Sequence, residues 1–240
     1  MPVARTPMPT LKYFGHSAFR IQDDKHTVFI DPFLTGNPVC PVKFADILAC
    51  DYVLVTHGHA DHLGDALELA QKFDATIVAT WELANWCQSK GAKKVHPMSS
   101  GGGRDFPFGR VKMTVAFHGC GGDARADGSV PPPNTPVGFL ITWGKTKVLY
   151  HAGDTALFSD MKLIGEKPRI NLALLPIGDN FGMGPDDAAR AMEFLDAECC
   201  VPMHYNTFDL IKSDPLAFAF RVEKGGRKCK IMKPGEKIEL

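Results

Sequence analysis

Three histidines and an aspartate fall within six residues, His57-Gly58-His59-Ala60-Asp61-His62. Imidazole nitrogens and carboxylate oxygens are ligands for divalent cations, and this donor set suits Zn²⁺, with Mn²⁺ or Fe²⁺ as alternatives. His57 and His59 can converge on one cation. Asp61 and His62, at the entrance of the next helix, can serve a second one close by. The competing reading is a solvated, hydrogen-bonded loop, which the density of ligands makes the weaker of the two. Gly58 is expected to permit the sharp turn that brings its neighbours to a common point.

The elements that must position this loop can be read from hydrophobic pattern. Asp51–Thr56 (DYVLVT) is a buried strand, an apolar run too short for a helix. A helix is expected from Asp65, with Asp65 capping it, Glu68 completing the box, and Ala66, Leu69, Ala70 and Phe73 facing inward. Leu11–Phe14, Ala18–Ile21 and Thr27–Ile30 form an antiparallel meander. Strands follow at Thr76–Ala79, Lys94–His96, Val111–His118, Val137–Trp143, Lys147–Tyr150, Asn171–Leu175 and Cys199–Met203. On Val111–His118, one face carries Val111, Met113 and Val115. Helices are expected at Trp81–Ser89, from Pro185 with Ala188, Met192 and Leu195 as its stripe, and at Leu216–Glu223. Ser99–Gly109 and Gly119–Pro136 read as irregular, and a loop as long as the second is often a site loop. Meanders followed by β-α alternation in each half suggest two sheets packed face to face with helices outside. The length favours one domain over residues 1–240.

The run His57-x-His59-x-Asp61-His62 after a buried strand resembles the metal motif of the metallo-β-lactamase superfamily, an α/β (α+β) fold built as a four-layer αββα sandwich. The resemblance implies three further ligands, each after a strand: His118, Asp154 and His204. It implies that His57, His59 and His118 hold a first metal and Asp61, His62 and His204 a second, with Asp154 bridging both. Gly15-His16-Ser17, Ile30-Asp31-Pro32-Phe33 and Phe181-Gly182-Met183-Gly184-Pro185 resemble the ascorbate-6-phosphate lactonase-like branch, and more closely its generically named metal-dependent hydrolases. On this reading the protein is a hydrolase with two divalent ions, in which a bridging water attacks a small phosphoester or lactone. Asp61 orients the water, His204 stands opposite, His16 lies at the rim, and Asp31 accepts the second N–H of a ligating imidazole. A nuclease and a non-catalytic metal-binding scaffold are the alternatives. His59 stands where the flavin-linked di-iron branch has Glu, which argues against oxygen reduction, and the chain has no room for the insertion of the tRNA-processing branch.

Composition narrows the partners. Lys plus Arg is 27 and Asp plus Glu is 27 in 240 residues, so the balance is neutral and a nucleic-acid partner is not expected. No apolar run reaches the length of a membrane span and the N-terminus lacks a signal-peptide core, so a cytoplasmic location is expected, with a homo-oligomer left open. The seven cysteines are odd in number with no C-x-x-C pair, and read as reduced thiols, mostly in strands. Arg125 or Arg104, in or near the irregular segments, is expected to pair with a phosphate or carboxylate of a small substrate. Cys120 reads as a loop thiol, His151 as a buried structural residue, and His26 and His96 as bystanders.

Overall fold

The computed structural model describes residues 8–240. The first half runs β1 (Thr10–Gly15), β2 (Ala18–Gln22), β3 (Thr27–Ile30), β4 (Tyr52–Leu54), α1 (Ala60–Leu63), α2 (Ala66–Phe73), β5 (Thr76–Thr80), α3 (Trp81–Ser89) and β6 (Lys94–Met98). The second half runs β7 (Gly103–Phe106), β8 (Gly109–Val115), β9 (Val137–Trp143), β10 (Lys147–His151), α4 (Met161–Glu166), β11 (Leu172–Pro176), α5 (Pro185–Leu195), β12 (Cys199–Met203), α6 (Pro215–Lys224), β13 (Lys228–Cys229) and β14 (Lys237–Glu239). Two seven-stranded sheets result, ordered β14-β1-β2-β3-β4-β5-β6 and β13-β12-β11-β10-β9-β8-β7. Each changes from antiparallel pairing to a parallel run, at β3 in the first sheet and at β10 in the second.

Strand alternation explains the layers. In the first sheet Val28, Ile30, Leu54 and Val78 point to a core shared with Val111, Met113, Phe139 and Ile141 of the second. Phe29, Val53, Val55, Ile77 and Ala79 point the other way, under Leu69, Ala70 and Leu83 of α2 and α3. Both faces of these strands are therefore apolar, so they read as unbroken runs. On the far side α5 buries Ala188, Met192 and Leu195, the stripe expected from its sequence. Truncating a fully buried side chain such as Phe139 is worth about 3–5 kcal/mol.

Several local expectations are corrected. The strand expected over Val111–His118 ends at Val115, which is 44% exposed because it has left the inter-sheet core. His118 consequently lies in the irregular segment beyond it. Ser99–Gly109 is not wholly irregular, since β7 pairs with β8 as an antiparallel hairpin. Asp65 precedes α2 without capping it; its Oδ2 accepts from Leu34 N (3.0 Å) and Thr35 N (2.8 Å) instead. Glu68 likewise turns to Arg125. All seven cysteines are free, but only Cys199, Cys200 and Cys229 lie in strands. Gly119–Pro136 is irregular throughout, as expected.

Candidate metal centre

The parallel strands of each sheet end at one rim, and the residues just past those ends converge there. Asp31 follows β3, His57–His62 follow β4, and His118 follows β8. Asp154 follows β10, and His204 follows β12. Of the seven non-glycine residues with positive φ among the described residues, three stand at the cluster itself: His16 (φ 59°), Asp31 (φ 44°) and His204 (φ 53°). Such conformations are costly and persist where surroundings fix them. Here the fixing is visible, since His204 N donates to His16 O at 2.8 Å and ties the two sheets together beside the cluster. Gly153 (φ 63°) presents Asp154, and a Cβ there would stand 2.6 Å from Val137 O. Gly58 acts differently from expectation. Its φ is not positive; a Cβ would meet Asn134 and Pro131 of the long loop at 3.3 Å, so glycine serves close approach.

The ligand atoms of His57, His59 and His118 lie within 4.8 Å of one another. So do those of His16, Asp61, His62 and His204, and those of His57, His62 and Asp154. His57 Nε2 is 2.9 Å from His59 Nδ1, which is 3.4 Å from His118 Nε2. Nitrogens sharing a tetrahedral zinc at about 2.0–2.1 Å stand roughly 3.3 Å apart, so this triad has the right span. Asp154 Oδ2 sits 3.0 Å from His204 Nε2, 3.2 Å from His62 Nε2 and 3.7 Å from His118 Nε2. One carboxylate oxygen thus faces imidazoles of both groups. Yet His62 Nε2 and Asp154 Oδ1 are buried with no hydrogen-bond partner. Buried polar atoms are normally satisfied. A donor set of imidazoles and carboxylates with unpartnered atoms aimed inward fits divalent cations.

Behind the cluster, Asp31 is fully buried. It accepts from Thr56 N (2.8 Å), Thr56 Oγ1 (2.7 Å) and His62 Nδ1 (2.7 Å). That last bond fixes the His62 tautomer and leaves Nε2 for a ligand. His16 is equally buried, with Nε2 2.9 Å from Asp61 Oδ2 and Nδ1 2.9 Å from Thr207 Oγ1. Burial, reinforced by the neighbouring His204, lowers the His16 pKa to about 4, so the ring is neutral at pH 7. Burial also holds His57 well below the ordinary imidazole value and lowers His118. His62 goes the other way. Burial opposes its charge, but Asp154, Asp61 and Asp31 together hold its pKa well above the ordinary value. Asp61 and Asp154 are held low despite burial, Asp61 mainly by His62 and His16, and Asp154 by His204 and His62.

The direction at His62 carries a prediction. Asp154, Asp61 and Asp31 favour its charged form, and a ligating nitrogen must give up its proton, so loading Zn²⁺ or Mn²⁺ should release protons. Calorimetric titration in buffers of different ionisation enthalpy measures this. Metal binding without proton release would contradict the charge pattern.

Other expected residues fall elsewhere. Arg125 bonds Glu68 Oε1 (2.6 Å) and Gly64 O (3.3 Å), so its guanidinium is already engaged. Arg104 lies on β7, outside the cluster, where it adds to the effect of burial in lowering the His96 pKa. His151 is buried with Nε2 3.0 Å from Ser17 O. His26 sits by Asp23 and His96 by Phe106, both apart from the rim. Cys120 Sγ accepts from Gly58 N at 3.3 Å. Sequence reasoning missed Thr56 and Thr207; neither type nor spacing distinguishes them from ordinary loop threonines.

A family model described as the beta-lactamase superfamily domain matches residues 26–205. A UPF0173 metal-dependent hydrolase of Heliobacterium modesticaldum is 50% identical over 236 residues, covering 95% of this chain and 96% of the relative. The chain belongs to the UPF0173 metal-dependent hydrolases of the beta-lactamase superfamily. A second such hydrolase, from a Geobacillus species, is 50% identical over 229 residues, covering 95% and 98%. Among solved structures, Igni18, described as a novel metallo hydrolase from the hyperthermophilic archaeon Ignicoccus hospitalis, is 36% identical with a TM-score of 0.85, covering 98% of this chain and 99% of that one. The isothiocyanate hydrolase from Delia radicum gut bacteria shares the fold, with a TM-score of 0.75 and 23% identity, covering 96% and 99%. The expected sandwich and family are therefore borne out, and so is metal-dependent hydrolase activity. No helix of the hydrolase among the described residues is long and apolar enough to cross a membrane.

Proposed function

We propose that this hydrolase holds two divalent cations, zinc first with manganese or iron as alternatives, and cleaves a small phosphoester or lactone with water. The observation that carries the reading is Asp154, whose Oδ2 lies within 3.7 Å of three imidazoles drawn from both ligand groups. His57, His59 and His118 would hold one ion and Asp61, His62 and His204 the other, with Asp154 shared. Bound there, the ions supply Lewis acidity and a water of lowered pKa. The chain's own residues do the rest. Asp31 holds the His62 ring in register through Nδ1. His16, taking a hydrogen bond at Nδ1 from Thr207, donates Nε2–H to Asp61 Oδ2 and fixes that carboxylate. Asp61, 29% exposed in its side chain, accepts a hydrogen bond from the attacking water and orients it. His204 would stand on the opposite side as a ligand of the second ion, its Nε2 3.8 Å from Asp61 Oδ2. The substrate is a small molecule rather than nucleic acid, in keeping with the neutral charge balance.

Initial rates on chromogenic phosphodiesters and esters after reconstitution with Mn²⁺ or Zn²⁺ test this reading. Asp61→Ala should lower kcat by about 10²–10⁴-fold with an unchanged circular dichroism spectrum. Near-wild-type turnover by that variant at full metal occupancy would remove Asp61 from the reaction.

A further inference from the structure

The rim around the cluster is acidic and aromatic, and it has almost no basic side chain. The segments that carry or adjoin the cluster are 31–37, 57–65, 117–136, 154–160, 178–184 and 204–214. Together they contain ten aspartates but only two basic side chains besides histidine, Arg125 and Lys212. Arg125 is engaged by Glu68 Oε1 and Gly64 O, and Lys212 makes only an exposed surface pair with Asp209 at 2.8 Å. No built-in cation of these segments faces the cluster to meet a remote anionic group of a substrate.

What the same segments do offer is phenylalanine. Phe33 and Phe208 stand edge-on to the His16 ring, with centroids at 5.7 and 5.6 Å, and 6.4 Å from one another. On the Asp154 side Phe117 packs against Phe158 at 5.1 Å, and its backbone N donates to Thr155 Oγ1 at 2.9 Å. Phe181 is carried by the loop whose Met183 N donates to Thr155 O at 3.0 Å. Phe208 is 43% exposed, Phe181 49% and Phe117 59%. Large apolar side chains left open on several sides of convergent polar atoms are a feature of ligand surfaces.

The geometry points to a substrate whose non-reacting part is uncharged and apolar, an alkyl- or aryl-bearing carboxylic ester or lactone rather than a phosphorylated or polyanionic compound. This rests on the hydrolase reading above and deepens it: the cluster takes the scissile group, and the phenylalanine walls take the tail. Phe208 and Phe181 are then specificity-determining residues.

Calorimetry on the metal-loaded protein with acetate, hexanoate, adipate and 6-aminohexanoate reads the tail directly. Each buried methylene is worth about a factor of four, so four methylenes half-covered by these rings should make hexanoate bind about 15-fold tighter than acetate. Adipate and 6-aminohexanoate, with a charge at the far end, should lose that gain. In parallel, kcat/KM for p-nitrophenyl hexanoate should exceed that for p-nitrophenyl acetate by a similar factor, and p-nitrophenyl phosphate should be the poorest. Phe208→Ala and Phe181→Ala should each pull the hexanoate-to-acetate ratio toward one in both assays. Equal binding of acetate and hexanoate, or tighter binding of either doubly charged chain, overturns the inference even if hydrolysis is found. Ordered binding without turnover on any substrate supports the apolar tail site and overturns the hydrolytic reading instead.

Discussion

Asp154→Ala should abolish metal-dependent turnover, lowering kcat/KM by on the order of 10³-fold or more. Asp154 is buried, and its Oδ2 is the one atom facing His62, His118 and His204 together. Without it three imidazoles are left with no shared anion, and a cation on either side loses a ligand. The loss should exceed the 10–100-fold typical when only a hydrogen-bonding partner behind a ligand is removed. Asp154→Asn separates charge from shape. It keeps the volume and one oxygen but not the anion, and is expected to retain less than a tenth of wild-type activity. Steady-state kinetics across added metal concentration checks both. If either variant recovered full activity at high metal, Asp154 would be a neighbour of the reaction and not its hinge.

The second large effect concerns stability. Asp31→Ala leaves Thr56 N, Thr56 Oγ1 and His62 Nδ1 without their acceptor, all fully buried. Removing one partner from a buried charged network costs about 3–5 kcal/mol. At about 2–4 °C per kcal/mol for a chain of this size, Tm should fall by roughly 6–20 °C. Metal affinity should fall about 10–100-fold as well, since His62 loses the bond that orients it. Melting curves with and without metal separate the two consequences: the metal-free protein reports the network, and the extra shift on loading reports the ligand. A metal-free Tm within 2 °C of wild type would mean that water replaces the carboxylate without cost.

How much of this was legible beforehand varied with the physics involved. The buried strands and the stripe of α5 were readable because burial on both strand faces, or on one helix face, leaves a pattern in neighbouring residues. The ligand loop was readable because four donors within six residues have few other uses. His118, Asp154 and His204 are single residues at strand ends; only the family resemblance ordered them, and the structure brings all three to one rim. The position of His118 beyond the end of β8 was not readable, because its strand runs into a loop without a breaker. Asp65 and Glu68 have the spacing of a capping box, yet tertiary donors at Leu34 and Thr35 and the guanidinium of Arg125 outcompete the helix end for them. At Gly58 the constraint is not the turn expected from sequence but the approach of Asn134 and Pro131, 73 or more residues away in sequence. Arg125 is in the loop that closes on the site, but its charge is spent on Glu68, a contact no local pattern announces.

The proposed centre holds two ions shared across Asp154. Metal content by inductively coupled plasma mass spectrometry, after reconstitution and removal of excess ion, measures it directly. Close to two ions per wild-type chain and one or fewer in Asp154→Ala are expected. One ion or none in the wild-type protein, or two retained in the variant, would contradict it.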